Sequence, residues 1–169
     1  MAKLQPDLHV KSIYDIDLDM LKNRSIYCLI MDIDNTLTPW NSSDISDELG
    51  KWVKGARDEG FKICLLSNNG PKRVERLSVK LGVSYIYNAA KPRRRSYQKA
   101  LDIMGATYDH AAVIGDQLLT DILGGKRMGM FTILVDPIDE REFIGTKIMR
   151  WLEKVLFNRR PFGKGETRP

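Results

Sequence analysis

Apolar residues along this 169-residue chain fall into two alternating patterns. One is a short, nearly unbroken run, found at Ile26–Met31, Lys62–Leu66, Tyr85–Tyr87, Ala111–Ile114 and Phe131–Val135. Short continuous runs rich in Ile, Leu and Val mark strands buried on both faces, as in a parallel sheet. The other pattern is helical spacing. Leu49, Trp52, Val53 and Ala56 form one such stripe, Val74, Leu77 and Leu81 a second, and Tyr97, Ala100, Leu101 and Met104 a third. A fourth helix is expected from about Leu118 to Met128. The punctuation agrees. Ser46 is placed as an N-cap with Asp47 and Glu48 in the first turn, and Pro71 suits a helix start. Gly60, Gly82 and Gly105 fall where helices should stop. The order β-α-β-α-β-α-β-α-β predicts an α/β fold, a parallel sheet of about five strands with helices on both faces. Residues 1–25 are a lead-in of scattered apolar anchors, in which Asp15 or Asp17 is placed to cap a short helix through Leu21.

Composition narrows the class. The hydrophobic share of 43% and charged share of 29% are those of a soluble globular protein. Cys28 and Cys64 sit inside apolar runs, which suits packing residues in a reducing compartment. No apolar run approaches the roughly 20 residues that span a bilayer. The start of the chain shows no signal-peptide core, so a cytoplasmic location is expected.

The net charge of +5 is concentrated at one end. Residues 141–169 hold 8 Lys and Arg against 3 Asp and Glu, which is the whole excess. Within them Ile144, Ile148, Trp151, Leu152 and Val155 recur at helical spacing, with Lys147, Arg150, Lys154 and Arg159 outside the stripe. A basic amphipathic helix over about residues 140–158 either lies on an anionic membrane or packs on the sheet as a last helix. Residues 161–169 read as a disordered end. The whole, 1–169, is expected to be one domain with its core over about 26–138.

The chemistry-bearing residues follow the strands. Asp32 and Asp34 follow the first run, Ser67 and Asn68 the second, Lys91 the third and Asp116 the fourth. In a parallel sheet these ends point the same way, so the groups can converge where ligands of open α/β sheets bind. The set suits phosphoryl transfer. One carboxylate attacks phosphorus, a second carries the proton, and a divalent cation, for which magnesium suits an all-oxygen site, cancels the repulsion. Ser67 can donate to a phosphate oxygen, and Lys91 supplies a fixed positive charge. Blander readings stay open for single residues. Ser67 and Asn68 also suit a helix cap, and Arg93, Arg94 and Arg95 either guide an anionic substrate or merely begin a solvated helix.

Taken together, DIDNTL, LLSNN, the lysine of AAKP and GDQLLTD resemble the four motifs of the haloacid dehalogenase (HAD) superfamily, over residues 26–121. The resemblance implies a three-layer, Rossmann-like fold. It implies Asp32 as nucleophile, Asp34 as acid/base, and Ser67 and Asn68 on the phosphoryl group, with Lys91 holding nucleophile and phosphate. Mg²⁺ would be held by Asp32, the backbone carbonyl of Asp34, and Asp116, with Asp121 acting through water or from behind the ligands. An acid two residues after the nucleophile is a feature of the phosphatases and phosphomutases. Only 32 residues separate Asp34 from Ser67, and 23 separate Ser67 from Lys91, leaving no room for a cap domain.

DNTLTPW, SNN, AAKP and GDQLLTDILGG…GMFTILVDPI are similar to the YqeG-like subgroup, subfamily IIIA, and resemble the mitochondrial phosphatidylglycerophosphatases of fungi. That implies conversion of phosphatidylglycerophosphate to phosphatidylglycerol; peripheral contact at the inner membrane face is expected separately, from the basic tail. Lys126 departs from the pattern, which has asparagine there. The alternatives are a capless phosphatase of a soluble sugar, nucleotide or nucleic-acid 3′-phosphate, and a protein that binds phospho-ligands or acidic polymers without turnover. No recognised nucleic-acid motif favours a nucleic-acid partner.

Overall fold

The computed structural model describes residues 4–40 and 42–139. The expected basic helix at 140–158 and the end at 161–169 lie outside the described residues. Six strands form one parallel sheet: β1 (Leu8–Val10), β2 (Cys28–Met31), β3 (Lys62–Leu66), β4 (Ser84–Ile86), β5 (Ala111–Gly115) and β6 (Phe131–Val135). Their order across the sheet is β1-β6-β5-β2-β3-β4. All five expected strands are there, with small shifts. The run at Ile26 begins pairing at Cys28, because the Ile26 N–H is spent on the Leu21 carbonyl. The sixth strand, β1, comes from the lead-in. It adds parallel to β6 at the edge, and three residues, half-buried Leu8 and Val10 around exposed His9, carry too little pattern to read as a strand.

The helices are α1 (Leu18–Asn23), α2 (Asp47–Asp58), α3 (Pro71–Leu81), α4 (Arg94–Met104) and α5 (Leu123–Met128). Asp17 caps α1 and Ser46 caps α2, each accepting a backbone N–H at 3.1 Å. α3 and α4 end at Gly82 and Gly105, whose φ of 65° and 62° favour glycine.

Alternation along the central strands sorts side chains into two cores. Leu29, Met31, Ile63, Leu65, Ala112 and Ile114 pack with the apolar stripes of α2 and α3 on one face. Cys28, Ile30, Cys64, Leu66 and Val113 pack against Tyr97, Ala100, Leu101 and Met104 of α4 on the other. The result is three layers, as expected. Both cysteines are free and buried, and burial pushes the Cys64 thiol up to about 12. A loop and α2 fill the interval between β2 and β3, and α3 that between β3 and β4, so no cap domain interrupts either. No helix among the described residues is long and apolar enough to cross a membrane.

The helix expected over Leu118–Met128 is in two parts. It opens with a wide π turn, Leu118–Ile122, and only then becomes α5. α5 then lies close to α4: a Cβ at Gly124 would meet the Tyr97 ring at 2.2 Å. Tyr97 is fully buried and donates its hydroxyl to the Thr120 carbonyl at 2.8 Å. Lys126 pairs with Asp7 at 2.6 Å, and Asp7 accepts from the N–H and hydroxyl of Thr132. Asp7 therefore ties the lead-in to α5 through Lys126 and to β6 through Thr132. Gly124→Ala should cost ~1–3 kcal/mol, because ring or helix must move. Tyr97→Phe should cost ~1 kcal/mol. Thermal denaturation of both variants checks this, and Gly124→Ala should show the larger drop in midpoint.

Candidate active site

The site begins where β2 stops. Asp32 still donates its N–H to the Ile114 carbonyl of β5, at 2.9 Å, so its backbone is fixed by the sheet. The chain then folds back at once. Leu37 and Thr38 donate to the Ile33 carbonyl at 2.9 and 3.2 Å, and Asn35 donates to the Thr38 carbonyl at 2.7 Å. Asn35 takes a left-handed φ of 59°, which asparagine tolerates better than most residues. This tight turn keeps Asp32 and Asp34 together at the strand end, both buried.

Lys91 reaches Asp32 from the loop after β4. Its ammonium donates to Asp32 Oδ1 at 2.6 Å and to Asp121 Oδ1 at 2.7 Å, and the residue is only 3% exposed. Its backbone N–H is held by Asn68 Oδ1 at 2.7 Å. Asn68 thereby braces the lysine loop. Ser67 is buried beside it, its hydroxyl accepting the Asn69 N–H at 3.1 Å.

The acids after β5 complete a cluster. Thr36 places its hydroxyl 3.2 Å from both Asp32 Oδ2 and Asp116 Oδ1. Gly115 makes room for Asp121, since a Cβ there would lie 2.2 Å from the carboxylate. Carboxylate oxygens of Asp32, Asp116 and Asp121 all come within 4.8 Å of one another. The π turn before α5 is what swings Asp121 inward, where it is 1% exposed.

Two buried acids and the half-buried Asp116 gather around one lysine, and the charge state records the imbalance. Burial, then the neighbouring Asp32 and Asp121, pushes the Asp116 carboxyl up to about 8. Burial likewise lifts Asp121 to about 6, although Lys91 opposes the rise. Burial works against the charge on Lys91, but the pull of Asp121 and Asp32 outweighs it and its pKa rises. An all-oxygen cluster with unbalanced negative charge fits a divalent cation.

Three contributors were missed in the sequence. Thr36 bridges two acids. Asn69 donates its side-chain amide to Asp34 Oδ2, and Arg73 pairs with Asp34 Oδ1. Arg73 also donates to the Ser42 carbonyl from Nε at 3.1 Å and Nη2 at 2.7 Å, with Thr38 Oγ1 at 3.4 Å. One signal for Arg73 was available: it sits in the first turn of α3, where the helix dipole disfavours a cation.

Strand-end acids, a buried lysine and a three-layer parallel sheet define a phosphoryl-transfer site on a hydrolase scaffold. The comparisons agree. Residues 88–137 match the HAD-hydrolase-like family model. The chain is 38% identical, over 90% of its length and 89% of the relative's, to the "Probable phosphatase YqeG" of Bacillus subtilis. It is 27% identical to the chloroplastic/mitochondrial phosphatidylglycerophosphate phosphatase 1 of Arabidopsis thaliana, spanning 91% of this chain but 47% of that one. The cobalt-bound deoxy-D-mannose-octulosonate 8-phosphate phosphatase YrbI of Haemophilus influenzae shares the fold, with a TM-score of 0.52 and 16% identity over 78% of this chain and 90% of that one. The chain belongs to the YqeG-like phosphatases of the HAD superfamily.

Two outcomes follow from the charge balance. Above pH 3.8 the folded protein keeps protons that the unfolded chain has released, on Asp121 up to about 6 and on Asp116 up to about 8. Stability of the chelator-treated protein should therefore fall as pH rises from about 4 to about 8. Melting across that range should show the fall, flattened in Asp116→Asn. Lys91→Met should destabilise by ~3–5 kcal/mol, since it strips the buried acids of their counter-ion. Urea denaturation checks that value.

Proposed function

We propose that this phosphatase is Mg²⁺-dependent, works through an aspartyl-phosphate on Asp32, and hydrolyses phosphatidylglycerophosphate to phosphatidylglycerol. The observation that carries the chemistry is the placement of Lys91 between Asp32 and Asp121, with Asp116 beside them. The lipid is supported by the name of the Arabidopsis relative, similar over nearly the whole of this chain.

In the first half-reaction a carboxylate oxygen of Asp32 bonds to phosphorus while the ester bond to the leaving oxygen breaks. Asp34 gives that oxygen its proton. In the second, Asp34 takes a proton from water, the water oxygen bonds to phosphorus, and the bond to Asp32 breaks, releasing phosphate. Lys91 holds Asp32 in place and offsets charge on the phosphoryl oxygens. Ser67, with Asn68 bracing the lysine loop, faces the phosphoryl group. Asp32, the Asp34 carbonyl and Asp116 would hold the ion, with Asp121 behind them. Bound there, Mg²⁺ supplies the positive charge that lets carboxylates and phosphate approach. The protein would act in the cytoplasm, its basic 141–169 segment touching the inner membrane face, a reading supported by the charge of that segment.

Phosphate release from phosphatidylglycerophosphate in mixed micelles, an aryl phosphate, sugar phosphates and a 3′-phosphorylated oligonucleotide tests this. We expect turnover concentrated on the lipid, lost in chelator, and lowered at least about a thousandfold by Asp32→Asn with the fold intact. Turnover of soluble esters with the lipid untouched would discard the lipid. Undiminished turnover by Asp32→Asn would discard the mechanism.

A further inference from the structure

Charge is split across the mouth of the site. The loops after β2, β5 and β6 (residues 32–46, 116–122 and 136–139) hold seven aspartates and no lysine or arginine. The segments after β3 and β4, residues 67–74 and 87–96, hold Lys72, Arg73, Lys91, Arg93, Arg94 and Arg95 and no acid. Because β2 and β3 are neighbours, the boundary runs between them, and the Asp34–Arg73 pair straddles it. Lys91 is consumed by the carboxylates. Lys72 and Arg93 to Arg95 are exposed.

Asp34 stands at the leaving oxygen in the reading above, so whatever is attached to that oxygen extends past Asp34. Against Asp34 on the cationic side lies the Arg73 guanidinium at Oδ1, with the Asn69 amide at Oδ2. The Arg73 side chain is 16% exposed, so solvent reaches it. The Ser42 carbonyl, accepting from both Nε and Nη2, fixes the plane of the fork. A planar guanidinium held in one orientation suits an oxyanion such as a phosphodiester or carboxylate. A neutral alcohol would make no use of it. The exposed cations beyond it would draw an anionic leaving group to that side.

We propose that the site selects phosphomonoesters whose leaving group is itself an anion, and that Arg73 receives that anion on the β3–β4 side. This rests on the assignment of Asp34 to the leaving oxygen. Phosphatidylglycerophosphate satisfies it, since its leaving alcohol carries a phosphodiester, and so does a water-soluble glycerol bisphosphate.

The test pairs glycerol bisphosphate with glycerol 3-phosphate, which differ only in the second phosphate. Wild type should favour the bisphosphate in kcat/KM by at least about tenfold. Arg73→Gln should bring that ratio to within about threefold, chiefly through KM, whatever happens to the absolute rates, and Arg73→Lys should restore part of it. Arg94→Gln with Arg95→Gln should weaken the preference less, and mainly at low salt. A wild-type ratio near one overturns the proposal. So does an unchanged ratio in Arg73→Gln with both substrates slowed alike, because Arg73 would then only position Asp34. Binding of the same two compounds to Asp32→Asn, in Mg²⁺, reads the preference without turnover. Tighter binding of the bisphosphate, lost on adding Arg73→Gln, upholds the proposal even if no substrate is turned over, whereas equal binding of the two sinks it. Comparing glycerol bisphosphate with phosphatidylglycerophosphate in micelles then shows whether the anion alone or the lipid as well is recognised.

Discussion

One buried ammonium holds the site together. Lys91 lies at 2.6 and 2.7 Å from carboxylates that come from opposite ends of the motif series, Asp32 after β2 and Asp121 after β5. Neither acid is tolerable at that depth without it. Yet one positive charge cannot balance Asp32, Asp116 and Asp121, and the remaining deficit is what a divalent cation would fill. The same imbalance that costs stability in the cluster suits it to bind metal and phosphate. Stability is given up locally for function, and the apolar packing on both faces of the sheet carries the fold.

The sheet order explains why residues nearly ninety positions apart can meet. β2 lies at the centre, between β5 and β3, so the acids after β2 and β5 are neighbours and Lys91 needs only to reach inward from beyond β3. Small residues set the final distances. Gly115 leaves space for the Asp121 carboxylate, and Gly124 lets α5 settle against Tyr97, whose hydroxyl holds the Thr120 carbonyl one residue before that acid. Packing on the α4 face is therefore coupled to the position of a charged group in the site.

The central strands and their helices were legible because burial on both faces leaves unbroken apolar runs, and each run ended in its polar residue at the expected place. β1 was not, because an edge strand of three residues buries too little to impose a pattern. The π turn at Leu118–Ile122 is indistinguishable from ordinary helix in the sequence, since its residue types are those of one, and only the need to bring Asp121 inward sets it apart. Within the site, Asp32, Lys91, Asp116 and Asp121 do converge, while the Asp34 carboxylate is held by Asn69 and Arg73. Asn68 is seen holding the lysine loop by its backbone. Apart from the first-turn position of Arg73, nothing local reports the contacts of Arg73 and Asn69, because their partner Asp34 lies more than thirty residues away.

The most direct measurement is to quench the enzyme during turnover, reduce it with borohydride and map the modified residue. A phosphorylated aspartate is reduced to homoserine, whereas a free carboxylate is not. Homoserine at position 32, dependent on both substrate and Mg²⁺, is the expected result. Continued phosphate release with Asp32 unmodified would contradict the account.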